Sequence, residues 1–302
     1  MMTNPDRPTI LVLGSTGQTG RLVVEELDRY PGAVQIRLCS RRREEVERLQ
    51  SQGREAVFLD LDDPRTFGSA LAGVDRIYLL TGYTVAMLVQ SKTLVDAASK
   101  AGVQHIVHQG IFGQWDCTDP HFAWHQLIER YIEASGIAWT HLHPNYFMEN
   151  LLSVTPLKAS SFSMYCGDKR IGWIALQDVA ATAATILLKG PEKYGGKDYW
   201  MSTESFNGAE VAAILSEVLN QEISCFLKQP EDLWALLTSG ESKVEPNYAE
   251  GAVEFMRQVM DGRMGYVGSV RDDVPLVTGR TSTTLRQWAT QNRERLRNAA
   301  TG

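Results

Sequence analysis

Three groups of residues in this 302-residue chain have types and spacings that could do chemistry. The first is the run "LVLGSTGQTGRLV", which sets Gly14, Gly17 and Gly20 three residues apart. The second is "LCSRRR", which brings Arg41 and Arg42 directly after an apolar stretch. The third is the histidines. All 6 lie between His105 and His143, and His121 and His125 stand four apart in "DPHFAWHQLIERYIEASG".

Each glycine has a distinct use if the run joins a strand to a helix. Gly14 permits a tight turn, Gly17 lets backbone approach a pyrophosphate, and Gly20 lets the helix pack against the strand. Ser15, Thr16, Gln18 and Thr19 complete the loop. A phosphate would then sit at a helix N-terminus, where unpaired N–H groups and the helix dipole favour negative charge. The spacing is G-x-x-G-x-x-G rather than the commoner G-x-G-x-x-G, and its context points to dinucleotide binding. The plainer alternative is a glycine-rich turn that serves another phosphate, or none. An NAD site usually carries an acid at the end of the second strand, for the ribose hydroxyls. Arginines there suit a 2′-phosphate, so NADP(H) is expected over NAD(H), with Arg41 best placed and Arg42 next. A solvated basic start to the next helix is the alternative. Asp60, ending the third strand, is a candidate for the adenine edge or a loop-capping acid.

A histidine pair one helical turn apart presents both rings on one face. An imidazole with an ordinary pKa near 6.5 suits proton exchange at neutral pH. His125 is the candidate proton donor or ribose-holding residue. His121 is placed toward a substrate. Both rings could instead grip a metal, but no nearby cysteine or acid completes a signature, and no metal is expected. His105 and His141 read as residues satisfying ordinary hydrogen bonds.

These groups need elements to position them. "TILVLGS", "AVQIRLCS", "AVFLD", "VDRIYLLTG", "VQHIVHQG" and "IAWTHLHP" read as six strands. Helical patterns alternate with them, which predicts right-handed crossovers and a doubly wound parallel sheet. Thr81, Gly82 and Tyr83 end the fourth strand, near a cofactor ribose. Phe112 and Trp115 follow the fifth and could stack on a flat substrate, or simply pack. Past about residue 150 the rhythm changes. "SFSMYCGDKRIGWI" looks like a hairpin around Gly167-Asp168, "KDYWMST" like a strand, and several helices follow. The fold class is therefore α/β: a Rossmann domain over residues 1–152 and a smaller mixed α+β substrate domain over 153–302. The helix at 176–190 is expected to pack back on the first.

A formal net charge of −6 argues against nucleic acid as a partner. The 4 cysteines are scattered, as in a reduced, cytoplasmic protein. No segment reads as a signal peptide or membrane span.

With "ILVLGSTGQTGRLVVEEL", "LDLDDPRTFGSALAGVD", "AASKAGVQHIVHQG", "IERYIEASGIAWTHLHPNYFMENLL" and "ALQDVAATAATIL" on the page, the chain resembles the NmrA-like branch of the atypical short-chain dehydrogenases/reductases. The resemblance implies an NADPH-dependent reductase of quinones, azo dyes or similar conjugated acceptors. The alternative within the family is a non-catalytic NADP(H)-binding redox sensor. It implies that Pro144, Asn145, Tyr146 and Phe147 line the nicotinamide. Ordinary members of the wider family carry Ser on the fifth strand and Y-x-x-x-K on the next helix. Here Gln109 and Gly110 stand where the serine would be, His121 at the tyrosine position and His125 at the lysine position. The expected partner is a small-molecule substrate, with a homodimer possible.

Overall fold

The structure, a computed structural model, describes residues 7–114, 117–239 and 244–301. Strands β1 (Thr9–Val12), β2 (Gln35–Ser40), β3 (Glu55–Phe58), β4 (Arg76–Leu79), β5 (His105–Gln109) and β6 (Ala138–Pro144) alternate with helices α1 (Gln18–Asp28), α2 (Arg43–Ser51), α3 (Phe67–Leu71), α4 (Met87–Ala101) and α5 (Pro120–Ala134). The chain continues through β7 (Tyr146–Phe147), β8 (Ser161–Met164), β9 (Ile171–Ile174), α6 (Leu176–Lys189), α7 (Pro191–Tyr194), β10 (Lys197–Ser202) and β11 (Glu204–Phe206). It ends with α8 (Gly208–Leu219), β12 (Ser224–Leu227), α9 (Pro230–Thr238), α10 (Pro246–Met260), β13 (Arg271–Asp272), α11 (Val274–Thr278), α12 (Leu285–Gln291) and α13 (Arg293–Thr301).

The main sheet has 8 strands in the order β13-β10-β6-β5-β4-β1-β2-β3. All neighbours are parallel except β13 on β10. β1 is buried along its whole length because helices cover both faces. One face packs against α1 and α6, through Val23, Leu27, Val179, Ala183 and Leu187. Alanines at 180, 183 and 184 keep α6 slim enough to lie close to α1 and the sheet. The other face packs against α3, α4 and α5, through Phe67, Leu94, Ile128 and Ile132. The sheet order reverses between β1 and β4, so the crevice beyond their carboxyl ends is the place for a ligand.

Two features depart from the sequence reading. The strand Lys197–Ser202, read with the second half, is the seventh strand of the main sheet, registered on β6 with Trp200 beside His143. Its Tyr199 and Met201 bury against the α6 face, which a small separate sheet would not cover. The predicted hairpin around Gly167-Asp168 does not form as a pair. β9 is the centre of a 3-stranded sheet, β11-β9-β7, with both edges occupied, so β8 pairs with β12 instead. These small sheets and α8, α9, α10, α12 and α13 surround a second core that includes Trp173, Trp288, Met148 and Leu215. The two lobes meet where α10 lies on α5. There Phe122 stacks on Phe255 with centroids 4.6 Å apart, and Gly251 lets the helix backbones close up beside His121.

Candidate functional site

The loop between β1 and α1 is built by its glycines. Gly14 takes φ +62°, a left-handed conformation that a side chain would strain. Gly17 donates its N–H to the Gly14 carbonyl at 2.8 Å. A Cβ on Gly20 would stand 2.2 Å from the Gly14 oxygen, so only glycine lets α1 start this close to β1. On Gly17 a Cβ would meet only that oxygen, at 3.2 Å, and otherwise face open space. Gly17, Thr16 and Gln18 are exposed, whereas Thr19 and Gly20 are buried. No acid occupies the first turn of α1, so its N-terminal N–H groups face outward without a carboxylate to compete for an anion. The Ser15 hydroxyl is committed elsewhere. It is buried, donates to the Cys39 carbonyl at 3.0 Å and accepts the Cys39 N–H at 3.3 Å, tying the loop to β2.

The three arginines after β2 take different roles. Arg43 stacks its guanidinium over the Phe58 ring at 4.1 Å. Arg42 sits at the N-cap of α2, its backbone N–H on the Ser40 hydroxyl at 3.1 Å. Arg41 is exposed, and its guanidinium makes no hydrogen bond or ion pair among the described residues. Asp60 organises its own turn: Oδ1 accepts the Asp62 N–H, and the Asp60 N–H donates to the Thr66 hydroxyl, both at 3.1 Å.

Thr81, Gly82 and Tyr83 leave β4 at the crevice, with Thr81 partly buried and the other two exposed. At the end of β5, the Gln109 side chain turns inward and its Oε1 accepts the Tyr78 hydroxyl at 2.5 Å. A Cβ on Gly110 would stand 2.5 Å from Glu129 Oε1, so a larger residue there would push that carboxylate aside. Beyond β6, Pro144 is buried and Phe147 packs against the α6-side core. Asn145 and Tyr146 engage the second lobe. Asn145 Nδ2 donates to the Val267 carbonyl at 2.8 Å, and the Tyr146 hydroxyl lies 3.1 Å from the Thr155 hydroxyl, with its ring edge-on to Trp173. Phe112, expected to face a flat substrate, is buried and packs edge-on against Trp200 at 5.1 Å. Trp115 lies outside the described residues.

Asp119 starts α5. Its Oδ1 accepts the Phe122 N–H at 3.0 Å and Pro120 follows it, so the helix begins where His121 meets Tyr248 of α10 and His125 meets His108 of the sheet. The rings form a file. His121 and His125 are 5.7 Å apart, His125 and His108 6.0 Å, and His108 and His141 5.4 Å. Both ring nitrogens of His108 and His141, and Nδ1 of His105, His121 and His125, are buried without a hydrogen-bond partner, though the Glu133 carboxylate stands 3.7 Å from His141 Nε2. Burial holds all five neutral. It pushes His105 and His121 down to about 4 and His141 to about 3, and puts His108 and His125 well below the ordinary range. His125 is thus no standing cationic acid. It can hold a ribose hydroxyl but has no spare proton at neutral pH. Among the described residues no three His, Cys, Asp or Glu side chains cluster so as to hold a metal.

His143 is the opposite case. Its Nδ1 is 2.9 Å from the Ile111 carbonyl and its Nε2 2.8 Å from Asp198 Oδ1. A neutral imidazole has one N–H, so only the doubly protonated ring satisfies both acceptors. Burial opposes that charge, but Asp198 and the Glu129 carboxylate 3.6 Å away outweigh it and raise the pKa. Glu129 is itself pushed up by burial to about 7. This trio faces a cavity of about 670 Å³ along the β10 edge, far across the sheet from the glycine loop.

Sequence reasoning missed Glu129, Asp198 and, above all, Tyr248. The Tyr248 hydroxyl is hydrogen-bonded to His121 Nε2 from 127 residues away, and no local pattern signals that.

Comparison with known proteins adds to this geometry. Residues 6–267 match the NmrA-like family. An NAD(P)H azoreductase of Xenophilus azovorans is 30% identical over 290 residues, covering 93% of this chain and 96% of the relative. A (4-alkanoyl-5-oxo-2,5-dihydrofuran-3-yl)methyl phosphate reductase of Streptomyces griseus subsp. griseus is also 30% identical, covering 94% and 98%. The triphenylmethane reductase of Citrobacter sp., solved with NADP(H), superposes with a TM-score of 0.77 at 24% identity, covering 94% of this chain and 99% of that one, a likeness of fold.

Proposed function

The chain belongs to the NmrA-like family, and on that premise we propose that it is an NADPH-dependent reductase of small, conjugated, electron-poor acceptors of the azo, quinone or enone kind. The observation that carries this reading is the cradle from Gly14 to Gly20. It is closed to any side chain at Gly20, open at Gly17, and free of acid at the helix start. A pyrophosphate fits that backbone, and the two 30%-identical relatives are both named reductases. The bound nicotinamide supplies the hydride. The protein binds, orients and excludes water. Thr16 and Gln18 present backbone N–H groups to phosphate, while the Gly17 N–H, tied to the Gly14 carbonyl, holds the turn. Thr81, Gly82 and Tyr83 border the ribose, and Gln109 and Gly110 shape the floor. His125, neutral and one turn along α5 from His121, holds the nicotinamide ribose. The second lobe, through α10, closes the acceptor's side.

The reading is tested by following reduced-nicotinamide absorbance across a panel of azo dyes, quinones and enones. Oxidation of NADPH by at least one neutral acceptor is expected. A protein that binds NADPH and oxidises it with none of the panel would be a binding module instead.

Arg41 is expected to select NADPH. Its guanidinium makes no competing bond among the described residues, and a charge-assisted pair with a 2′-phosphate contributes about 10–100-fold in affinity. Arg41→Ala should lower the NADPH/NADH affinity ratio by that factor in titration calorimetry. Arg42→Ala should change it less. An unchanged ratio in Arg41→Ala would remove the assignment.

A further inference from the structure

We infer that Tyr248, reaching in from α10, is the general acid of the proposed reduction, with His121 as the residue that positions its hydroxyl. This rests on the reductase reading above. The helix α5 has histidine where the wider family carries its tyrosine. An imidazole is shorter than a phenol, and the hydroxyl at the tip of His121 is that of Tyr248, so a phenol oxygen is restored near the place a tyrosine at 121 would reach. Tyr248 is held there from several sides. Its ring meets His121 edge-on at 4.7 Å, Tyr83 of the crevice loop edge-on at 5.6 Å and Trp124 at 6.0 Å. Glu245, just before α10, accepts the Thr84 hydroxyl and the Val85 N–H, which anchors the helix start to the same loop.

The direction of the hydrogen bond decides the chemistry. His121 Nδ1 is buried without a partner. A buried N–H left unpaired is rarer and costlier than an unpaired acceptor lone pair. With the proton on Nδ1 that cost is permanent; with it on Nε2 the ring donates to the Tyr248 oxygen, and the one donor left over is the phenol O–H, which a bound acceptor can satisfy. That leaves the phenol O–H free to be given away, while the ring N–H stabilises the phenolate. Burial keeps His121 and His125 neutral and raises the Tyr248 phenol above its ordinary range, so the phenol holds its proton until an anion forms beside it.

The balance is simple. A neutral acceptor that takes a hydride becomes an anion. The Tyr248 O–H bond breaks, a new O–H or N–H bond forms on that anion, and the phenolate held by His121 regains a proton from water once product leaves. A triarylmethane cation needs the hydride alone and becomes neutral without a proton.

The experiment compares wild type with Tyr248→Phe, which keeps the ring packing. Assays use the neutral acceptor that wild type reduces fastest and a triarylmethane cation, with NADPH affinity measured alongside. The neutral acceptor should lose about 10²–10⁴-fold in kcat. NADPH affinity, and any rate on the cation, should stay unchanged. His121→Gln, which keeps an N–H near the same place, should retain more activity than His121→Leu. Equal losses on both acceptors, or a fully active Tyr248→Phe, would overturn the inference. If wild type reduces nothing, the reductase reading itself fails. Independently of turnover, ¹⁵N spectra of the ring should show His121 protonated at Nε2. Protonation at Nδ1 would overturn the dyad, because the phenol proton would then be spent on the ring.

Discussion

Gly17→Val is expected to fold normally and to bind NADPH about 10²–10⁴-fold more weakly. A Cβ at 17 meets only the Gly14 carbonyl, at 3.2 Å, a tight contact that a shift of a few tenths of an ångström relieves, and the rest of the side chain faces open space. What it fills is the space through which backbone N–H groups reach a pyrophosphate. Each hydrogen bond to a charged group contributes about 1.5–3 kcal/mol, so two lost contacts give a loss of that order in affinity. Gly20→Ala should behave differently. Its methyl carbon would stand 2.2 Å from the Gly14 oxygen, which forces α1 away from β1. Its cost should appear in the melting temperature of the protein without cofactor. Calorimetric titration and thermal unfolding of both variants separate the two roles. Normal NADPH affinity in folded Gly17→Val would mean that the loop does not cradle a phosphate.

Acidification from pH 6.5 toward 4 is expected to destabilise the fold steeply. Five buried histidines have folded-state pKa values below the unfolded 6.5: about 4 for His105 and His121, about 3 for His141, and well below the ordinary range for His108 and His125. A depressed pKa gives stability that is present above 6.5 and lost as the pH falls, because the unfolded chain binds the protons first. Opposing them, Glu129 is raised to about 7 and Asp119 to about 6, and His143 is raised as well. Those contributions are present at low pH and fade as the pH rises. Burial raises Glu149 and Asp178 as well, but from ordinary values of 4.5 and 3.8. The five histidines titrate from 6.5 in the unfolded chain, so between pH 6.5 and 4.5 a net uptake of protons on unfolding is expected, each worth about 1.4 kcal/mol per pH unit. Denaturant melts at half-unit steps would show it, and a flat profile between pH 4.5 and 6.5 would contradict it. His141→Phe keeps a ring stacked on Trp139 and should flatten the slope by about one proton.

The strands and the glycine loop were legible because their signals are local. A short apolar run bounded by turn residues reads the same in isolation as in the fold, and the β1-to-α1 loop declares itself by spacing. So do the Asp119 cap of α5 and the Asn207 cap of α8. Partner choice was not legible. Nothing in "SFSM" or "IGWI" says that one strand will pair with residues 224–227 and the other with 204–206 and 146–147. The histidines were visible as a cluster, but their charge states depend on burial, and His143 differs from its neighbours because Asp198 reaches it from β10 and Glu129 from α5. Phe112 was readable as an aromatic in a loop. That Trp200 would cover it depends on where β10 lies.

The placement of β10 and β13 has a consequence for engineering. The chain leaves the main sheet after Pro144, returns for α6 to β10, leaves again after Ser202, returns for β13 and α11, and leaves a last time for α12 and α13. The second lobe is therefore no detachable cassette. It consists of three separate stretches, near 145–175, 203–270 and 279–301, sewn through the sheet by five passages of the chain. A cut at residue 152 would strip the main sheet of two strands and of the helix that lies against α1. Transplanting another relative's acceptor specificity would require splicing all three stretches at once, or changing single side chains on α10 in place.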